Sequence, residues 1–395
     1  MLREEIALLD VRNEAAFATG HPLFAANMAA DRIALEAGTR LPRKDVSIVV
    51  YDDGEGLVAT AADRLGALGY TDVRMLDGGL RGWKSAGYEL FRDVNSYAKA
   101  FGELVESRRH TPSLPADEVA ALIAGNANIR ILDVRRPDEY ATMNIPGSIS
   151  LPGAELVLRA GRAAPDPETT IIVNCAGRTR SIIGTQSLIN AGIANKVVAL
   201  RNGTIGWTLA GQSLEQGADR HGGIGPFEGA QANAREVAYR AGVRHVGAEE
   251  AMALERQTHR TLYRFDVRSR EDYAAGHIKG FRHYPGGQLV QEIDIAAPVR
   301  GARILLTDDM GARADMTASW LAQMGWETYV LEGGYDRALE TGPPPDLPKP
   351  DPSHRYRRPY EGTDVVPEAM QAYLDWEYGL VDQLRRDATH GFFVI

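Results

Sequence analysis

The run IIVNCAGRTRSIIG, residues 171–184, holds Cys175, the single cysteine of a 395-residue chain. An apolar, β-branched stretch leads into it, a loop with Gly177, Arg178 and Arg180 follows, and Ser181 opens a helical stretch. A strand–loop–helix junction turns successive backbone N–H groups toward one point, and the helix adds its positive end, so this loop is expected to be an anion-binding nest. A thiol seated there ionises more readily, because the thiolate is the anion being stabilised, and the thiolate is the nucleophile. The loop amides from Ala176 through Gly177 and Thr179 to Ser181 are expected to line a substrate site. Arg178 and Arg180 would supply charge-assisted donors to an anionic substrate. The alternative is a small buried apolar side chain, which is what most lone cysteines are. The glycine, the two arginines and the serine argue for chemistry instead.

The elements that must position this loop occur three times. LLDVRNEAAFATGH, ILDVRRPDEYATMN and RFDVRSREDYAAGH surround Asp10, Asp133 and Asp266, each an apolar run ending in Asp-Val-Arg and then a short acidic-aromatic helical stretch. A strand–loop–helix segment follows in register, so that Cys175 aligns with Asp52 and Asp308. Asp10 to Asp133 and Asp52 to Cys175 are both 123 positions, and the next interval is 133 for both landmarks. A third landmark, MLDGGLRGWKSAG, ALRNGTIGWTLAG and VLEGGYDRALETG, reads as strand, glycine turn and helix.

Strands alternating with helices predict parallel strands joined by right-handed crossovers. The fold class expected is α/β: three tandem three-layer domains, each with a central parallel sheet, and a helical tail. The boundaries expected are residues 1–95, 112–215, 240–342, and a proline-rich linker with a C-terminal helix over 343–395. The first copy has nine residues ahead of its Asp-Val-Arg where the others have about 20. Either its first helix and strand are missing or the true start lies upstream of Met1. In the tail, VPEAMQAYLDWEYGLVDQL has apolar residues at helical spacing, for docking on a domain or contact with a second copy. SHRYRRPY, residues 353–360, reads as a solvated linker.

Composition excludes several classes. A hydrophobic fraction of 44% with 25% charged residues is that of a soluble globular protein. A net charge of -9 without a long basic stripe argues against nucleic-acid binding. One cysteine cannot form an intramolecular disulfide, no apolar run reaches a membrane span, and the acidic N-terminal stretch is unlike a signal peptide, so a cytoplasmic location is expected.

LDVRRPDEY, IPGS and CAGRTR before a helix resemble the rhodanese, or sulfurtransferase, family, over about 300 residues in three tandem domains. The resemblance implies thiosulfate sulfurtransferase activity. Cys175 would take sulfane sulfur from a small anionic donor, hold it as a persulfide stabilised by the loop amides, and pass it to cyanide or a thiol. It implies no metal and no organic cofactor. The family's Gly-His-Ile-Pro is MNIPGS here, with Asn144 at the histidine position, whereas the third copy keeps His277. That position is read as turn-forming. Asp133, Arg135 and Glu139 are read as a structural ion-pair cluster rather than an acid–base set, with Arg135 lending support to the anion site. Trp207 is placed either in the core or on the rim of the pocket. The first and third copies cannot form a persulfide; Asp52 and Asp308 are expected to put a carboxylate where the active copy binds an anion. A divalent cation on Asp52–Asp53 or Asp308–Asp309 is the weaker reading.

Rival readings are a 3-mercaptopyruvate sulfurtransferase, a relay that hands persulfide sulfur to a partner protein, and a cysteine phosphatase. The last needs five residues between cysteine and arginine, whereas Cys175 and Arg180 enclose four. The two loop arginines lean toward a doubly charged donor.

Overall fold

The computed structural model describes residues 4–222, 225–336, 338–346 and 348–395. Its strands form three sheets, one per repeat. The first contains β1 (Ile6–Asp10), β2 (Ala26–Asn27), β3 (Ser47–Tyr51) and β4 (Val73–Met75). The second contains β5 (Ser113–Leu114), β6 (Ile129–Asp133), β7 (Ile149–Ser150), β8 (Thr170–Asn174) and β9 (Val197–Leu200). The third repeat supplies β10 (Arg244–Val246), β11 (Leu262–Asp266), β12 (Arg282–His283), β13 (Val299–Arg300), β14 (Arg303–Thr307) and β15 (Glu327–Leu331).

The second sheet runs β5-β9-β8-β6-β7 and the third β10-β15-β14-β11-β12, with every pairing inside them parallel. Helices cover both faces of such sheets, which is why β8 reads TIIVN and β14 reads RILLT, as apolar runs without alternation. The first sheet differs. Among the described residues nothing pairs with the outer edge of β4, the place β5 and β10 take in the other copies. Its β1 instead gains an antiparallel partner from the third repeat, Ile6 opposite Arg300 and Ala7 opposite Val299 in β13.

The helices that bear on the site are α1 (Val58–Ala67), α2 (Ser96–Arg109), α3 (Thr179–Asn190), α4 (Ala312–Gln323), α5 (Pro367–Tyr378) and α6 (Leu380–Asp387). Helices α1, α3 and α4 follow the equivalent loops of the three repeats. Helix α2 occupies the gap between the first two copies, and every residue from Ser96 to Val105 is buried. Its Lys99 and Glu103 are buried in ion pairs rather than solvated, which sequence does not record. It joins the repeats: Phe101 packs on Trp320 of α4 and on Phe392 near the C-terminus.

The tail is more than a linker and one helix. Gly379 divides the expected helix into α5 and α6. Within the stretch read as a solvated linker, Tyr356 bonds Glu14 and Asp93 and Tyr360 is buried. Met370, Tyr373 and Leu374 of α5 are buried inside the chain, so its apolar face docks on the domains rather than being left for a second copy.

Candidate active site

Cys175 stands at the carboxyl end of β8, a central strand, where ligands of parallel α/β sheets gather. Its thiol lies 3.4 Å from the Ser181 hydroxyl, which in turn donates to the Arg178 carbonyl at 2.8 Å. The repeated glycine turn closes on this loop. Gly203, at φ +54, brings the Thr204 N–H to the Cys175 carbonyl at 2.9 Å, and any Cβ there would strike that carbonyl oxygen. Gly79 and Leu80 make the same approach to Asp52 in the first repeat.

The two sister loops mark the donors of the nest. Asp52 accepts from the N–H groups of Gly54 (3.0 Å) and Leu57 (2.7 Å). Asp308 accepts from Met310 (3.2 Å), Arg313 (2.8 Å) and Ala314 (3.4 Å). In the register of the repeats the equivalent amides belong to Gly177, Arg180 and Ser181. Each sister loop thus seats a carboxyl group on its backbone N–H groups, and burial pushes that of Asp308 up to about 7 against Arg313. Asp308 and Asp309 are engaged by Arg313 and Arg268 rather than presented to a cation.

The arginines depart from the expectation. Arg178 points away from the thiol: its guanidinium donates to Glu103 of α2 at 2.7 and 2.8 Å, to Glu106, and to Asn202 at 3.1 Å, and stacks on the Tyr378 ring. Arg180 donates to Glu139 at 2.8 and 2.9 Å. Neither guanidinium is free for a dianion. Arg180 still bears on Cys175 electrostatically, and although burial raises the Glu139 carboxyl, Arg180 overrides it and holds that carboxyl at about 2. Arg135 clamps Asp133 through Nε and Nη2 at 2.9 and 2.8 Å and donates to the Met143 carbonyl. Arg12–Asp10 and Arg268–Asp266 repeat this geometry, so Asp-Val-Arg is a turn-fixing motif. Asn144 and His277 both bond a carbonyl four residues back and form an isolated antiparallel bridge, to Glu215 and Glu340 respectively, as turn-forming residues do. Trp207 is core, with its indole N–H on the Ser213 carbonyl.

The thiol itself is not held ionised. Cys175 is 2% exposed, and burial pushes its pKa up against the opposing pull of Arg180 and Ser181. A nest lowers a thiol pKa only when its other surroundings are wet enough or positive enough; here they are dry, and the nearby cations are already paired.

The dry surroundings come from the tail. A Cβ on Gly177 would lie 3.2 Å from the Tyr373 ring and 3.3 Å from a Glu377 oxygen. Tyr360, Met370, Tyr373 and Leu374 cluster with Ala176, and Tyr378 donates to Asn202 at 2.9 Å. Beneath them the Lys99 ammonium of α2, paired with Asp93 at 2.8 Å, sits below the rings of Tyr360, Tyr373 and Trp376. Glu103, Lys99, Tyr360, Tyr373 and Glu377 were not anticipated from the sequence. The one available signal was the aromatic and acidic content of YLDWEYGL in a helix otherwise read as a docking element.

A profile of the rhodanese-like domain matches residues 1–86, 115–210 and 249–340. The chain belongs to the rhodanese-like domain family. The helix α2 and the whole tail lie outside the three matched segments. The fold is similar along its full length to a thiosulfate sulfurtransferase from Pseudomonas aeruginosa, with a TM-score of 0.95, 48% identity, and coverage of 100% of this chain and 97% of that one. A putative thiosulfate sulfurtransferase, SseB, of Mycobacterium tuberculosis is 30% identical over 129 residues, 30% of this chain and 45% of that protein. The HTH-type transcriptional regulator Rv0324 of the same species is 31% identical over 90 residues, 23% of this chain and 39% of that protein. The chain thus spans less than half the length of these curated relatives. No helix among the described residues is long and apolar enough to cross a membrane.

Proposed function

We propose that this rhodanese-like chain is a sulfurtransferase that takes sulfane sulfur from thiosulfate and carries it as a persulfide on Cys175. The observation that supports this most is the match between three loops: where two hold a carboxyl group on their backbone amides, the middle one holds a thiol. The full-length likeness to a thiosulfate sulfurtransferase points to the same donor. The Cys175 thiolate attacks the outer sulfur of thiosulfate, a new S–S bond forms, and the S–S bond of the donor breaks with its electron pair leaving on sulfite. The persulfide anion is then held by the amides of Gly177, Arg180 and Ser181. Cyanide or a thiolate attacks the outer sulfur, leaving thiocyanate or a new persulfide and returning the thiolate. Arg180 favours the anionic forms from behind its pair with Glu139, while Arg178 holds the loop to α2. Asp133 and Arg135 serve the turn.

Mixing the reduced protein with thiosulfate and recording intact mass tests this. The wild type is expected to gain one sulfur, roughly 32 Da, and Cys175→Ser none. No gain with thiosulfate would sink the donor assignment, and a gain that survives in Cys175→Ser would sink the mechanism.

A further inference from the structure

Glu377 is a carboxyl from outside the matched domains, carried by the tail onto the cysteine loop. It is 1% exposed. One oxygen accepts from the Tyr373 hydroxyl at 2.7 Å and lies 3.5 Å from the Thr179 hydroxyl. The other, Oε2, has no hydrogen-bond partner among the described residues although it is buried, and it is the atom 3.3 Å from a Cβ position on Gly177. Leaving a buried carboxylate oxygen unpaired is costly, and the cost vanishes if that oxygen carries a proton and has something to donate to. The neighbouring cations are committed elsewhere, Lys99 to Asp93 and Arg178 to Glu103 and Glu106. Among the described residues no cation therefore pairs with Glu377 directly.

We propose that Glu377 is a donor-positioning residue of this site: as the neutral acid it donates a hydrogen bond from Oε2 to the anionic group seated over the Cys175 loop, and as the carboxylate it repels that anion. The role rests on the sulfurtransferase reading only for the identity of the donor. Burial, and then the neighbouring Glu103, push the Glu377 carboxyl up to about 8, against Lys99, Tyr373 and Arg178. Among the other groups facing it, burial pushes Glu103 upward against Arg178, burial pushes Tyr373 and Tyr360 upward, and Cys175 is also raised. Asp93 opposite keeps Lys99 charged, its pKa raised despite burial.

Two alkylating reagents of nearly equal shape test this on the intact chain. Iodoacetate carries a carboxylate and iodoacetamide does not, and both need the same thiolate and the same opening of the roof, so their rate ratio at Cys175 isolates the charge of the pocket. In the wild type the iodoacetate-to-iodoacetamide ratio is expected to fall roughly tenfold between pH 7 and pH 9, following loss of one proton near pH 8. In E377Q it should stay flat across that range. A flat ratio in the wild type overturns the role whether or not the variant folds, and so does a fall that persists in E377Q. Persulfide formation from thiosulfate, followed by mass in the same buffers, is a separate reading: a wild type that never gains sulfur overturns the proposed function, whereas the alkylation ratio alone decides Glu377.

Discussion

Arg180 and Glu139 face each other through two bonds, and Arg180 is the charge that pulls most against burial at the thiol. The pair's energetics follow from the carboxyl. Burial raises the Glu139 pKa, but Arg180, with Arg136 and Arg135 behind it, overrides this and leaves it at about 2, below the usual value. A depressed carboxyl stabilises the fold above its unfolded pKa and loses that contribution as pH falls through the folded value. Glu139→Gln is therefore expected to lower unfolding stability by about 2 kcal/mol at pH 7, with the difference from wild type shrinking between about pH 4 and pH 2. Urea titrations at pH 7, 4 and 3 measure it, and a difference that stays constant with pH contradicts the account. The raised thiol is the other residue-scale result. The loop motif predicts an ionised cysteine, and the motif is present, but ionisation is set by dehydration as much as by loop shape.

At the scale of elements, α5 decides how dry the loop is. Leu374, 1% exposed, packs among Tyr360, Tyr373, Met370 and Ala176, and so ties the helix to the residue beside the cysteine. Leu374→Ala removes about three buried carbons and leaves a cavity, a change that typically costs about 3 kcal/mol. Because α6 and the C-terminal residues remain anchored through Leu380, Leu384 and the Phe393 amide on Gln323, the loss should appear as local opening of α5 before global unfolding. Cys175 in this variant is expected to react faster with iodoacetamide than in the wild type, at a denaturant concentration where the rest of the chain stays folded. Equal reactivity would show that α5 does not control access.

On the scale of the whole molecule, Arg178 ties the catalytic loop to α2 and α2 to everything else. Glu103 lies 75 residues before Arg178, and Glu377 lies 198 residues after Thr179. Breaking one side of a buried pair is far worse than replacing both sides by apolar groups. Arg178→Met is expected to cost about 3 kcal/mol of stability, and the double variant Arg178→Met with Glu103→Leu to recover most of it. If Arg178 only holds the loop, the double variant keeps forming the persulfide from thiosulfate; if the guanidinium binds the donor, stability returns and sulfur uptake does not. Thermal unfolding and intact mass on the same samples separate these outcomes. The three copies, their order, the parallel sheets and the one loop with a thiol were all legible in the chain, because strand periodicity, turn residues and a repeated register are local properties that sequence carries directly. The ionisation of Cys175, the partners of Arg178, Arg180 and Arg135, the buried α2 and the tail over the loop were decided only by tertiary structure. Those depend on which distant segments exclude water from a charge and which opposite charges they bring to it, and sequence distance records neither.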